Sequence, residues 1–197
     1  MTPAELTTLK AFILASPDQA LQAAAAARND TETARLLNLP STFVVWRIDV
    51  PSTELVGAIK LASFTPADLP PAAAGGETSD ELLALIALSQ LYNNRCALCK
   101  LKQNNIRMLL SRDIVTAQKL STRQDLTDAL TNVPAGAGGA AIDAGWLGAG
   151  KVKETISRFA TVAETAFTNG TGTAGQPGKL GWQGDVNIGL LGEMWNL

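Results

Sequence analysis

The sequence predicts a mostly α-helical fold: a helical bundle with one long central helix, a short extended segment near residues 42–49 and an extended C-terminal arm. Three observations predict it. Apolar residues recur at steps of three and four in several segments, which is the period of an amphipathic helix. Helix-start signals precede these segments, and glycines interrupt the pattern after residue 169. We therefore expect a helical domain over residues 1–168, with flexible loops at about 70–77 and 134–150, and an arm over 169–197.

The helix starts share a signal in which a hydroxyl side chain precedes a turn with a polar residue at its third position. Thr2-Pro3-Ala4-Glu5 and Ser16-Pro17-Asp18-Gln19 add a proline at the first helical position, where its missing N–H costs nothing. Thr78-Ser79-Asp80-Glu81 is a capping box without the proline. We expect helices at about 3–15, 17–27, 31–38, 52–61, 79–117, 122–132 and 151–168.

A β-branched and aromatic run lies between the third and fourth of these helices. It extends from Thr42 to Ile48 and is closed by Pro51, which favours one strand. A lone strand needs a partner, so this one would pair with the C-terminal arm or with another subunit. Alternatively, the run is an extended segment that lies across the helices. The residues leave both interpretations open.

The segment after Thr78 has the clearest helical period. One face carries a mostly apolar stripe: Leu85, Leu88, Tyr92, Cys96, Cys99, Gln103, Ile106, Leu110 and Ile114. An unbroken helix of this length spans about 50 Å at 1.5 Å per residue. A second stripe predicts the helix at 151–168: Val152, Ile156, Phe159, Ala160, Ala163 and Phe167. Helices with one apolar stripe pack against each other, which predicts the bundle.

The C-terminal arm combines glycine-rich backbone with large apolar side chains. Such a segment folds poorly alone, yet its indole rings are costly to leave in water. Tryptophan also anchors many interfaces, because one rigid side chain fills a pocket. The candidate subunit-interface residues are Trp146, in a glycine-rich loop, and Trp182, Ile188, Leu190, Leu191, Met194, Trp195 and Leu197. The alternative is that the arm folds back over its own bundle.

The composition offers little catalytic or metal-binding chemistry. Histidine is absent, which removes the commonest general base and the commonest metal ligand. Cys96 and Cys99 form a C-x-x-C pair, but zinc would need two further soft ligands, and we interpret both thiols as core residues. The segment from Gly148 to Val152 lacks the spacing and the hydroxyl of a phosphate-binding loop. We expect no catalytic residues, no metal and no cofactor.

A locally basic run could contact nucleic acid, although the net charge of the chain is −2. The candidate DNA-facing residues are Lys100, Lys102, Arg107 and Arg112, with Lys119 and Arg123 continuing the run. A basic helix can grip phosphates. The alternative is a solvated face, or salt bridges to a neighbouring subunit.

The N-terminus MTPAELTTLK lacks the features of a secretory signal. The longest apolar run, Leu82 to Leu88, is shorter than the roughly 18 residues of a membrane span. We therefore expect a protein made in a cytoplasm, with no membrane partner.

Three segments carry a family resemblance. Phe43-Val44-Val45-Trp46-Arg47-Ile48-Asp49-Val50-Pro51 resembles the VWRT-x-VP segment of small proteins encoded among the structural genes of tailed bacteriophages. So does the pattern Arg123…Leu126…Asp128-Ala129-Leu130-Thr131…Val133-Pro134…Gly136, followed by Ala144-Gly145-Trp146. The Thr-Asn-Gly-Thr-Gly-Thr run at 168–173 is similar as well. The likeness covers about residues 40 to 175, in pieces, and includes neither the cysteine pair nor the terminal GEMWNL.

The resemblance implies a non-enzymatic structural subunit of a tailed-phage virion, assembled in the host cytoplasm. A head–tail connector or adaptor would form a homo-oligomeric ring and dock through its arm onto the portal, tail components or neighbouring copies, with weak contact to packaged DNA. The same resemblance allows a capsid decoration protein or another head or tail accessory protein. A separate possibility, from the basic helix alone, is a DNA-binding regulator.

Overall fold

The computed structural model describes residues 1–146 and 152–197, and within them the chain is about 53% helical. The α-helices are α1 Pro3–Ala15, α2 Gln19–Ala26, α3 Asp30–Leu37, α4 Ser52–Ala58, α5 Ser79–Leu110, α6 Leu120–Leu130, α7 Val152–Thr155, α8 Val162–Thr165 and α9 Ile188–Trp195. The strands are β1 Pro40–Trp46, β2 Val50–Pro51, β3 Ile114–Val115, β4 Ser157–Thr161, β5 Thr168–Asn169 and β6 Lys179–Leu180. The prediction of a mostly α fold with one long helix is confirmed.

Two of the predicted helix starts are capping boxes in the structure. Thr2 and Thr78 each accept a hydrogen bond from the backbone N–H three residues on. In return, the carboxylates of Glu5 and Glu81 accept hydrogen bonds from the backbone N–H groups of Thr2 and Thr78. The second helix begins later than its Ser-Pro signal predicts, because Asp18 caps α2 by accepting from two backbone N–H groups. Local capping chemistry therefore sets these starts.

The chain divides into two compact units. Unit 1 comprises residues 1–46 and 157–197, and unit 2 comprises residues 47–156. This division differs from the predicted helical domain 1–168 followed by an arm 169–197. The physical reason is that the C-terminal segment supplies core residues to the same unit as the N-terminal helices.

In unit 1, α2 packs on α1 and α3, α9 packs on α1 and α3, and α8 packs on α3. Its main core consists of Leu6, Leu9, Ile13, Leu21, Ala24, Ala25, Ala34, Leu36, Leu37, Ala163, Val186, Leu191 and Met194. Beside it, β1 pairs with β4 in an antiparallel ladder that places Val44 opposite Phe159 and Trp46 opposite Ser157. A smaller cluster forms around the buried side chains Val45, Ala160 and Leu180.

The run at 42–48 is therefore a strand, and both of its neighbours lie within the same chain. β4 covers one edge. On the other edge, the Val44 N–H donates to the Gly172 carbonyl over 2.7 Å, and the Gly178 N–H donates to the Val44 carbonyl over 2.8 Å. The glycine-rich segment thus forms part of a sheet instead of remaining without a partner.

The predicted helix at 151–168 is wrong. Residues Ser157–Thr161 form β4, flanked by the short helices α7 and α8, and residue 151 lies outside the described residues. The stripe at steps of three and four is real, but within β4 the burial alternates between exposed Phe159 and buried Ala160. Pairing with β1 overrides the local period, as tertiary context often does.

Unit 2 is organised by α5 and α6. The C-terminal half of α5 packs on α6 and buries Cys99 and Ile106. Arg95 on α5 is joined to Asp68 by a two-pronged ion pair, with nitrogen–oxygen distances of 2.6 and 2.9 Å. α5 ends at Leu110, before the predicted 117, because the chain turns there and Ile114–Val115 pair with Val50–Pro51 as β3 and β2.

The two predicted flexible loops differ in the structure. Residues 70–77 contain neither helix nor strand. Residues 134–146 are held by a bridge between Val133 and Ile142, a 3-10 turn at Ala137–Gly139 and the buried Ala135 and Ala144. The remainder of the second loop, 147–150, lies outside the described residues, as does most of the Gly148–Val152 segment.

Candidate functional site

The C-terminal segment, the predicted docking arm, packs within unit 1. It is not an extended arm, since it contains β6 and the eight-residue helix α9. Leu191 and Met194, on the inner face of α9, are fully buried in the unit 1 core. Asn38 clamps the segment at Val186, because its amide accepts from the Val186 N–H over 2.9 Å and donates to the Val186 carbonyl over 2.8 Å.

The two tryptophans of this segment also have partners in their own chain. The indole N–H of Trp195 donates to an Asp30 carboxylate oxygen over 3.0 Å, and the Arg28 guanidinium lies 4.6 Å from its ring centroid. The Trp182 ring lies 5.5 Å from that of Phe167 at an angle of 57°. Both rings are half-buried. The structure therefore gives the alternative arrangement, in which the segment folds back over its own unit.

The remaining candidate interface residues differ in exposure. Leu190 is half-buried against the unit 1 core, and Trp146 is half-buried in unit 2. Ile188 and Leu197 are exposed at the two ends of the α9 segment. Of the eight candidates, only these two present large apolar surface to solvent.

A buried ion pair fixes the start of α8 beneath this segment. Glu164 is 2% exposed and accepts from both ends of the Arg158 guanidinium over 2.7 Å, while Arg158 is 30% exposed. Glu164 also accepts from the Thr161 N–H over 2.9 Å, and Thr161 caps α8. Burial raises the pKa of Glu164, but the hydrogen bonds from Arg158 and Thr161 outweigh burial and hold the pKa below its ordinary value. These partners satisfy the carboxylate as a structural group.

The cysteine pair lies on α5, with Cys99 buried and Cys96 half-buried, and both thiols are free. Burial raises the pKa of Cys99, with the neighbouring Cys96 adding to the effect. A raised pKa keeps the thiol protonated and therefore a poor nucleophile. Among the described residues, no group of three or more His, Cys, Asp or Glu side chains is placed to hold a metal ion.

The structure separates the candidate DNA-facing residues. The Lys102 ammonium donates to the carbonyls of Asp128 and Thr131, the latter over 2.9 Å, at the C-terminal end of α6. Lys100 and Arg107 are exposed and lie seven residues apart, so they share one face of α5. Arg112 lies beyond the end of the helix. The continuation of the run is also engaged, because Arg123 donates to the carbonyls of Ala117 and Gln118.

Among the described helices, α5 exposes the most large apolar side chains to solvent. Its exposed large apolar residues are Leu82, Leu83, Ile86, Leu88, Leu91, Leu98, Leu101 and Met108. In the first four turns, residues 79–91, only Leu85 and Ser89 are even half-buried. A helix that is apolar on several sides is normally covered by other protein, and apolar patches of this kind on a soluble chain mark interaction sites.

Within that surface, eight exposed positions follow a strict heptad spacing of three and four. We call them the seam: Ala84, Ala87, Leu91, Asn94, Leu98, Leu101, Asn105 and Met108. The four large apolar members, Leu91, Leu98, Leu101 and Met108, are 61%, 50%, 56% and 73% exposed. A 3.5-residue period keeps one face of a helix aligned with a partner helix. The seam is therefore the candidate functional site.

The sequence contains the spacing of the seam, but the stripe at Leu85–Ile106 shows a similar spacing and already explains the internal packing of α5. The two stripes occupy different faces of α5, and both contain leucines at steps of three and four. Only the exposure in the structure separates the face that is covered from the face that is not. The strict alternation of three and four residues is the feature that distinguishes the seam.

Among the described helices, none is long and apolar enough to cross a membrane. No protein-family model, curated protein or solved structure matches this chain.

Proposed function

We propose that this chain is a non-enzymatic structural subunit of a tailed-phage virion, placed at the head–tail connector as an adaptor. The observation that carries the proposal is the exposed apolar surface of α5. Soluble monomers rarely leave so many large apolar side chains on one helix in water. A subunit that completes its packing inside a larger particle covers such a surface on assembly.

The resemblance of three segments to phage structural-gene products supports the virion context. The first of them, Phe43 to Pro51, includes most of β1 and all of β2. The Thr168–Thr173 run holds the glycine whose carbonyl accepts from the Val44 N–H. These likenesses fall on structural positions, which suits a subunit whose role is assembly.

The docking surface in this proposal is α5, in place of the C-terminal arm. Leu191 and Met194 already belong to the core of their own unit, so releasing them to clamp a neighbour would open that core. Ile188 and Leu197 can still add to a contact from the exposed side of the segment. The partners are copies of this chain and portal or tail components.

The experiment is mass spectrometry of purified particles from the phage that carries the gene. A connector subunit is expected in intact particles at a small fraction of the copy number of the major capsid protein. A copy number close to that of the capsid protein would replace the connector with the decoration alternative. Absence from washed particles, while the protein is abundant in the infected cell, would contradict the virion proposal.

A matched pair of variants tests the surface. Replacing Leu82 and Ile86 by serine removes exposed apolar area from α5, and replacing Leu14, which is exposed on α1, makes the same kind of change elsewhere. We expect the α5 variant to lose incorporation into particles several-fold and the Leu14→Ser variant to retain it. Equal incorporation of both variants would count against α5 as the docking surface.

A further inference from the structure

Strand β5 ends in an asparagine that is followed by a glycine, Asn169-Gly170, and the sequence contains no other Asn-Gly pair. The main-chain nitrogen after an asparagine can attack the side-chain amide, because the two groups belong to one chain and close a five-membered ring. A side chain on the following residue hinders this approach, and glycine has none. The pair therefore joins an electrophilic amide carbon to the least hindered nucleophile that the main chain offers.

The structure leaves both reacting groups accessible. Asn169 and Gly170 are exposed. Within the described part of the chain, neither the Asn169 side-chain amide nor the Gly170 N–H has a hydrogen-bond partner. The φ angle of Gly170 is +109°, in the left-handed region that favours glycine, so the turn itself selects this residue. Because β5 is only two residues long, its ladder opens locally at low cost and lets the side chain reach the nitrogen.

We propose that Asn169-Gly170 is a self-modification site, at which the chain converts its own asparagine to aspartate and isoaspartate. The Gly170 nitrogen gives its proton to solvent and forms a bond to Cγ of Asn169. The bond between Cγ and Nδ2 breaks, and Nδ2 takes up a proton from solvent and leaves as ammonia. Water then opens the succinimide ring at either of its carbonyl carbons. The asparagine and a water molecule thus become an aspartyl or isoaspartyl residue and ammonia.

Strand β6 places a cation beside the reacting side chain. Asn169 stands directly opposite Lys179 in the antiparallel ladder of β5 and β6, and the Cβ atoms of such a pair lie about 5 Å apart on the same face. Lys179 is exposed, and among the residues that the structure describes no carboxylate forms an ion pair with it. Its ammonium stabilises the negative charge that develops on the amide oxygen during attack. After the reaction it lies opposite the new carboxylate.

The two products differ in their effect on the sheet of unit 1. Aspartate leaves the main chain unchanged, whereas isoaspartate adds one carbon atom to it after residue 169. That residue pairs with Lys179, and the carbonyl of Gly172, three residues on, accepts from the Val44 N–H. Both ends of this stretch are therefore hydrogen-bonded, and the additional atom displaces one of them. Isoaspartate weakens the attachment of the glycine-rich segment to β1.

The first test follows the folded, full-length protein at neutral pH and physiological temperature in water labelled with heavy oxygen. Peptide mass spectrometry measures the converted fraction of residue 169. We expect that fraction to rise with time and the new carboxyl group to carry the label. Protein L-isoaspartyl methyltransferase should transfer a labelled methyl group to the aged chain and not to the fresh one. The reaction needs only this chain and water, so its outcome does not depend on membership of a virion.

Exposed asparagines of α5 provide an internal control. Asn94 and Asn105 are exposed, but the N–H that follows each of them lies within the helix, and the next residue carries a large side chain. Both should stay unmodified in the same digests. In the variant Asn169→Gln, attack would have to close a six-membered ring, so residue 169 should not be converted.

A second pair of variants tests the role of Lys179 and the effect on the sheet. Lys179→Gln should slow the conversion several-fold and keep the native circular dichroism spectrum, because the side chain is exposed. Aged native protein should contain a population that melts at a lower temperature, in proportion to its isoaspartate content. Asn169→Asp should melt like the fresh native chain, since it does not lengthen the main chain.

Two results would overturn the site. The first is an Asn169 that stays unmodified in the folded protein over the time in which a synthetic peptide of residues 165–174 is fully converted. The second is conversion of Asn94 or Asn105 as fast as that of Asn169. Equal rates in the native chain and in Lys179→Gln would overturn the part assigned to the lysine.

Discussion

Glu164 is the residue whose local contacts have the widest structural effect. Its carboxylate joins the capping box of α8 to the guanidinium of Arg158 on β4. A carboxylate this deeply buried is tolerated only because its oxygens are paired and hydrogen-bonded. The side chain therefore couples the strand to the helix at the point where the sequence alone predicts one continuous helix.

We expect Glu164→Gln to lower the free energy of unfolding by about 2 kcal/mol, below the full range for buried pairs because Arg158 is partly exposed. The amide keeps the shape but leaves the guanidinium without a counter-charge. Urea denaturation at neutral pH measures the loss. The matched control is Glu32→Gln, which breaks the exposed pair with Arg35 and should cost much less, because solvent screens an exposed pair. Equal losses in the two variants would show that burial of Glu164 adds nothing.

The same residue predicts a pH dependence. The folded-state pKa of Glu164 lies below the ordinary value of 4.5, so the unfolded chain binds more protons in that range. Its contribution is therefore fully present above about pH 4.5 and is lost as the pH falls through the folded-state pKa. The difference in unfolding free energy between the native chain and Glu164→Gln should shrink from pH 6 to pH 3. A constant difference would contradict the ion pair as its source.

At the scale of elements, the helix starts can be predicted from local capping chemistry, whereas the strand pairing cannot. The boxes at Thr2 and Thr78 involve residues three apart and are complete within one turn. β4 instead forms because β1, more than a hundred residues earlier in the chain, provides its ladder. A stripe such as Val152–Ile156–Phe159 does not contain that information, since it is compatible with helix when its neighbours are unknown.

Two glycines of the C-terminal segment should respond oppositely to alanine. At Gly178 a Cβ atom would lie 2.5 Å from a Phe43 ring carbon and 2.9 Å from the Asn169 carbonyl oxygen, so Gly178→Ala should lose about 1–3 kcal/mol. At Gly192, within α9, a Cβ atom meets nothing within 4 Å, so Gly192→Ala should gain about 0.5–1 kcal/mol. Thermal denaturation of both variants measures the contrast. Loss of stability at Gly192 would contradict the helical position.

Removal of residues 170–197 is expected to unfold unit 1. It takes away the buried side chains Leu180, Val186, Leu191 and Met194. Their burial contributes on the order of 6–12 kcal/mol, which is comparable with the whole stability of a domain. In the truncated chain, the amide chemical shifts of residues 1–46 should move to the narrow range that is typical of an unfolded chain. Deletion of the exposed Leu197 alone is the control and should preserve them; native-like signals in the longer truncation would show that the segment is dispensable for folding.

For the whole molecule, sequence reasoning identified the class of fold and the long helix but not which parts belong together. The sequence marks Trp182 and Trp195 as candidate anchors. Whether they pack in their own chain or in another is decided by residues far away in the sequence, such as Asp30, which accepts a hydrogen bond from Trp195. The seam was missed because the Cys99–Ile106 face supplies the internal packing that one stripe needs. A helix with two apolar stripes needs a packing partner for each stripe. This need becomes evident only when the structure shows which residues already cover the first stripe.

Because unit 1 is assembled from residues 1–46 and 157–197, the order of synthesis constrains how this protein matures. Helices α1, α2 and α3 leave the ribosome before α9, and their hydrophobic faces stay without Leu191 and Met194 while the residues between them are synthesised. Residues 47–156 are complete earlier and can fold while the chain is still growing. Helices α1, α2 and α3 therefore wait longer for their packing partners than residues 47–156 do, and the docking of α9 completes the core of unit 1.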